Sequence, residues 1–212
     1  MLEYRERAAD GDPEGLLILH HGRGTDENDL LPVADALDPG RRLHVVTPRG
    51  PLTLPGWPGR HWYRVERIGH PEGQTFAAAR EQLAALHDEL WRRTGVGPGA
   101  TVLGGFSMGT VMSYALGLDG DRPVPRAILA MSGFVPTVEG WEPALGSRAG
   151  LPVLITHGRR DAIIEVGFGR DAARLLGEAG LAVEYLESDA AHHIEPRQLP
   201  EIVSWLERVT TP

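Results

Sequence analysis

Short apolar runs alternate along this chain with longer stretches in which apolar residues recur every three or four positions. The first run, Leu16-Leu17-Ile18-Leu19-His20, is almost unbroken in its hydrophobicity, as a strand buried on both faces should be. Leu43 to Thr47, Thr101 to Leu103, Ala127 to Met131, Val153 to His157 and Val183 to Leu186 repeat the pattern. A shorter segment, Glu3 to Arg7, predicts an edge hairpin ahead of them. Between the runs, helical spacing predicts a helix capped by Asp26 and running to about Leu37, with Leu30, Leu31, Val33, Ala34 and Leu37 on its inner stripe. Further helices are expected over Phe76 to Arg93, Thr110 to Leu118, Gly167 to Ala179 and Pro196 to Val209. Pro39-Gly40, Thr94 to Gly99 and Gly180 stop three of them.

Strands and helices that alternate in this way imply a mostly parallel sheet of about seven strands between layers of helices. Two loops punctuated by Pro and Gly interrupt the alternation. One runs from Pro48 to about Gly73 and carries Trp57, Trp62 and Tyr63; the other, Val135 to Gly150, carries Trp141. Loops of the first one's length inside compact domains are commonly functional.

The length of 212 residues suits one α/β domain over residues 1–212, and 42% hydrophobic residues are enough for a substantial core. A net charge of -8 argues against a nucleic-acid partner, because no broad phosphate-neutralising surface is available. With no cysteine, disulfides, thiolate catalysis and Cys-ligated zinc are excluded. The histidines show no metal-ligand spacing, so no metal and no cofactor are expected. The charged N-terminus lacks an apolar signal region and no run is long enough to span a bilayer, so the expectation is a cytoplasmic protein.

The chemistry concentrates at Gly105-Phe106-Ser107-Met108-Gly109. It follows an apolar strand and precedes a helix, the context of a Gly-x-Ser-x-Gly nucleophile elbow. A serine hydroxyl needs a base, and the base needs an orienting carboxylate. Asp161 and then His192 or His193 follow in the chain order expected of an open α/β sheet, each after its own strand. Asp161 is preferred over Glu165 and Asp171, which fall at or inside a predicted helix, and over Asp189, which is too near the histidines in sequence.

Together with His21-Gly22-Arg23-Gly24, Met131-Ser132-Gly133, His157-Gly158-Arg159-Arg160-Asp161 and Ala191-His192-His193-Ile194, this motif resembles the carboxylesterase/phospholipase branch of the α/β-hydrolase superfamily, which includes acyl-protein thioesterases. The resemblance spans nearly the whole chain. It implies an α/β-hydrolase fold without a cap domain. It also aligns the base with His192, since that branch commonly closes its site with Gly-His-x-Ile, although Ala191 here stands in the glycine's place. It implies an oxyanion hole from the backbone N–H groups of Arg23 and Met108, and a homodimer is in keeping with the family.

The expected reaction is hydrolysis of small-molecule esters with short to medium acyl chains, in an open pocket to which Trp57, Trp62, Phe134 and Ile163 contribute. A thioesterase or lysophospholipase is the nearest alternative, and a non-catalytic ligand-binding protein of the same fold a more distant one. A dienelactone-hydrolase-like activity fits less well, as that group typically uses a cysteine.

Overall fold

Once an apolar strand is buried on both faces, its backbone donors and acceptors must be satisfied by neighbouring strands. In the computed structural model, which describes residues 1–211, seven strands do this in a single sheet. The chain runs through β1 (Tyr4–Arg7), β2 (Gly15–His20), α1 (Leu31–Leu37), β3 (Leu43–Pro48), a small ribbon of β4 (Val65–Arg67) and β5 (His70–Pro71), and α2 (Gly73–Thr94). It continues through β6 (Thr101–Phe106), α3 (Met108–Gly117), β7 (Ala127–Met131), β8 (Pro152–Gly158), α4 (Val166–Glu178), β9 (Ala182–Ser188) and α5 (Leu199–Thr210). The order across the sheet is β1-β3-β2-β6-β7-β8-β9. All neighbours pair in parallel except β1, which is antiparallel to β3.

Alternate strand residues feed two separate cores, as the two-residue period of a strand requires. Leu16, Ile18, Ile128, Ala130, Val153 and Ile155 pack beneath α2, α3 and α4. Leu17, Leu19, Ala127, Leu129, Met131 and Leu154 pack with α1 and α5, where Ile202, Trp205 and Leu206 form the buried stripe.

Several expected boundaries shift for local reasons. The Glu72 side chain caps α2 by accepting from the backbone N–H groups of Gln74 and Thr75, so that helix starts three residues early. Asp26 does not cap α1. Its Oδ1 accepts from the Asn28 N–H at 2.9 Å, closing a tight turn, and α1 starts only at Leu31. Within α1 the buried residues are Ala34 and Leu37, while Leu31 and Val33 lie half-buried at its side. The N-terminal segment forms no hairpin with β2, because β3 lies between them. The long loop after β3 contains the β4–β5 ribbon, turned at Gly69 with φ +86°.

Because the parallel strands run in one direction, the loops after β2, β6, β7, β8 and β9 emerge at one edge of the sheet, where ligands bind in such folds. Those loops carry Arg23, Ser107, Phe134, Asp161 and His192. Among the described residues, no helix is long and apolar enough to cross a membrane.

Candidate active site

The turn between β6 and α3 is so tight that the flanking positions exclude any side chain. A Cβ on Gly109 would run into the His20 carbonyl, and one on Gly105 into the backbone of Gly109. Ser107 itself takes φ +56°, a region that costs a non-glycine residue about 1–3 kcal/mol. The surroundings hold it there. Ser107 N–H donates to the Met131 carbonyl at 2.9 Å, and the Thr110 hydroxyl donates to the Gly105 carbonyl at 2.6 Å while accepting from Met131 N–H at 3.0 Å. Thr110 thus pins the start of α3 to both β6 and β7.

From this turn the Ser107 Oγ lies 2.8 Å from His192 Nε2, and His192 Nδ1 lies 2.6 Å from Asp161 Oδ2. Asp161 is buried. Its other oxygen accepts from the N–H groups of Ile163 and Ile164 at 2.9 and 2.8 Å, so the carboxylate cannot rotate away from the imidazole. His157 donates from Nε2 to the Ile164 carbonyl at 2.8 Å and braces the same loop from below.

The loop bearing His192 folds over the end of β8, where Arg159 and Arg160 N–H donate to the carbonyls of Ser188 and Ala190 at 2.8 and 3.0 Å. Any Cβ at Gly158 would strike that loop. Ala191 is absent from the residues with positive φ, so this loop closes without the glycine that the family commonly has there. His193 is exposed, and its N–H turns back to the Ala191 carbonyl at 2.9 Å. Of the two adjacent histidines, His192 is the one in contact with Ser107. Asp189 and Asp171 are ion-paired on the surface, with Arg159 and Arg174 respectively.

The loop after β2 supplies the opposite wall. Burial pulls the pKa of His21 down. Its neutral ring donates from Nδ1 to the Gly22 carbonyl at 2.7 Å and accepts Gly50 N–H at Nε2, at 2.9 Å. The Thr25 hydroxyl adds a second bond to Gly22 O, at 3.0 Å. In a trans peptide the carbonyl and the following N–H point in opposite directions, so fixing Gly22 O also fixes the Arg23 N–H. Met108 is the first residue of α3, and its N–H has no intrahelical acceptor. Both residues border the same cavity as Ser107.

That cavity holds about 470 Å3 and is walled largely by apolar groups, with Tyr63, Phe106, Phe134 and Ile164 beside the serine. Trp57, Ile68 and Ile163 stand at its mouth, 55%, 38% and 60% exposed. Trp62, expected in the wall, is not part of it. It is fully buried, its indole N–H donates to the His21 carbonyl at 2.9 Å, and its ring packs against His20 and His21. Phe106, Tyr63, Val65, Ile68 and Ile164 were not foreseen as wall residues. Phe106 had a signal, since the residue before an elbow serine must lie at the mouth; Val65 and Ile68 lie in a loop without periodicity.

The family model described as Phospholipase/Carboxylesterase matches residues 7–210. The chain belongs to this family. Its fold is accordingly the α/β-hydrolase fold with no cap domain among the described residues, and the family's members are ester or thioester hydrolases. Over 194 residues the chain is 26% identical to acyl-protein thioesterase 1 of Debaryomyces hansenii, covering 86% of this chain and 81% of that one. Among solved structures it resembles the esterase PE8, with a TM-score of 0.86 and 28% identity over 98% of this chain and 99% of that one. A carboxylesterase from Mesorhizobium loti shares the fold at a TM-score of 0.83 and 24% identity, covering 96% and 93% of the two chains.

Proposed function

We propose that the protein is a serine carboxylic-ester hydrolase acting through an acyl-enzyme on Ser107. The observation that carries this reading is the hydrogen-bonded chain from Ser107 Oγ through His192 to the buried Asp161, at the floor of an apolar cavity. In the proposed cycle Ser107 Oγ attacks the ester carbonyl while His192 Nε2 takes its proton, and Asp161 stabilises the imidazolium. The carbonyl oxygen becomes an oxyanion received by the N–H groups of Arg23 and Met108. In other hydrolases, loss of one such donor costs about 3–4 kcal/mol. The tetrahedral adduct collapses, the alcohol leaves with the proton from His192, and a water activated by the same imidazole releases the acid and frees Ser107.

The cavity's open mouth fits short and medium acyl chains. A thioester substrate is the second reading, favoured by the likeness to an acyl-protein thioesterase. A fluorophosphonate probe should label the protein at Ser107 and fail to label Ser107→Ala, and a chain-length series of aryl esters should show turnover that the variant lacks. Absence of labelling in a folded wild type would refute the mechanism. Matched oxygen and sulfur esters separate the two substrate readings.

A further inference from the structure

Beside the chamber that holds Ser107 lies a second one of about 400 Å3, and the two share Arg23, Trp57, Tyr63 and Val65 as common walls. The second chamber adds Arg64, and no carboxylate lines it. Many arginines of this protein are tied to acids, among them Arg49 to Glu27, Arg93 to Glu6, Arg122 to Asp88 and Arg170 to Glu187, while Arg60, Arg67, Arg160 and Arg197 form no ion pair among the described residues. Among the described residues neither the Arg23 nor the Arg64 guanidinium forms an ion pair or a hydrogen bond.

Arg23 is not simply adrift in solvent. Its guanidinium carbon lies over the Trp57 ring, 3.8 Å from the centroid. A cation–π contact of this kind holds the group near the ring without using its N–H donors, which stay available for an oxygen-bearing anion. Glu72 feels the charge of Arg64 but is spent as the cap of α2, bonded to Gln74 and Thr75. The segment from Trp57 to Arg67 adds Arg60 and Arg67 against one acid, Glu66, on a chain whose net charge is -8. The positive ground is therefore local to the second chamber, while the neighbouring chamber that holds Ser107 has Asp29 in its wall. The polar cavity at Arg160 and Arg197 differs, because Asp189 and Glu195 line it as well.

We propose that the second chamber is an anion subsite, and that the preferred substrates are esters carrying a carboxylate or phosphate that reaches Arg23 and Arg64. The proposal rests on the serine-hydrolase reading above. A planar guanidinium recognises carboxylate and phosphate oxygens in the same forked way. The subsite selects by charge, while the apolar chamber holds the chain that connects the charge to the reacting carbonyl.

The test is kcat/KM on ester series of one length ending in a carboxylate, its neutral methyl ester or a trimethylammonium group. One series carries the charge on the acyl side and a second on the alcohol side, and a phosphate-ended member is added to each. In at least one series wild type should prefer the anionic over the neutral ester by about tenfold and disfavour the cationic one. The preference should shrink as salt is raised. Arg64→Gln should cut the anionic-to-neutral ratio about fivefold, Arg64→Glu should bring it to one or below, and Arg64→Lys should retain part of it.

A larger preference for phosphate than for carboxylate, or the reverse, supports the subsite and names its better oxyanion. Equal turnover across both series, or a ratio that Arg64→Glu leaves unchanged, overturns it while the hydrolase reading stands. No turnover of any ester together with no fluorophosphonate labelling brings down the hydrolase reading, and the subsite proposal with it.

Discussion

Lowering the pH from 7 to 5 should destabilise this protein through two histidines that take no part in the Ser107–His192–Asp161 hydrogen-bonded chain. His20 on β2 and His87 on α2 are fully buried with ring centroids 5.6 Å apart, and Nε2 of each has no hydrogen-bond partner. Burial pushes the pKa of His87 down to about 3. It also holds that of His20 well below the imidazole range, with further repulsion from His87. In the unfolded chain both titrate near pH 6.5, so above that pH neither state is charged and the stability is fully present. Below it the unfolded chain takes up protons that the folded core refuses, and stability falls until the folded pKa values are reached.

Between pH 7 and 5 this amounts to about 2 kcal/mol for each ring and about 4 kcal/mol for the pair. That is a large share of the roughly 5–15 kcal/mol typical of a domain. His21 and His61 are shifted in the same direction and add to the loss. Paired carboxylates such as Glu187, held at about 2, contribute only below about pH 4.5, so the interval isolates the histidines. Urea unfolding at the two pH values measures the difference, and His87→Leu should recover about half of the His20–His87 share. A loss under about 1 kcal/mol in wild type, or an unchanged loss in His87→Leu, would refute the reasoning.

Three other outcomes are expected. Ser107→Gly should abolish ester turnover yet raise unfolding stability by about 1 kcal/mol, because glycine adopts φ +56° without strain; thermal melts and a turnover assay check both halves. Trp62→Ala should cost about 3–5 kcal/mol in urea unfolding, whereas Trp57→Ala should stay within about 0.5 kcal/mol and instead raise KM for longer esters. Asp38 is buried, pairs with Arg7 and accepts from Arg42 and Leu43 N–H at 3.0 and 2.9 Å, so Asp38→Ala should cost about 3–5 kcal/mol by the same measurement.

The parts of this architecture that local chemistry controls were legible in the sequence. Unbroken runs such as Leu16 to His20 mark central strands, and the spacing of Gly105 and Gly109 around Ser107 marks a turn that only glycine can flank. Strand ends also pointed to the acid and to a pair of adjacent histidines, and only the family resemblance singled out His192. Long-range choices were hidden. The charged segment Tyr4–Arg7 can pair with any edge, and that it joins β3 depends on which edge the parallel strands leave open. Trp57 and Trp62 look alike in a loop with no period, and only the close approach of the Trp62 indole to the His21 carbonyl tells the buried ring from the exposed one. The aversion of His20 and His87 to protons is equally invisible, since it arises from the packing of α2 on β2.

The residues that enclose the ligand space come mostly from the stretches 22–25, 57–68 and 163–164, while the trio at its base sits at the tips of paired strands. Scaffold and selectivity are therefore separable inheritances. Directed evolution restricted to the exposed positions between Trp57 and Ile68, with the buried Trp62 kept, is expected to change ligand preference while the trio keeps its geometry.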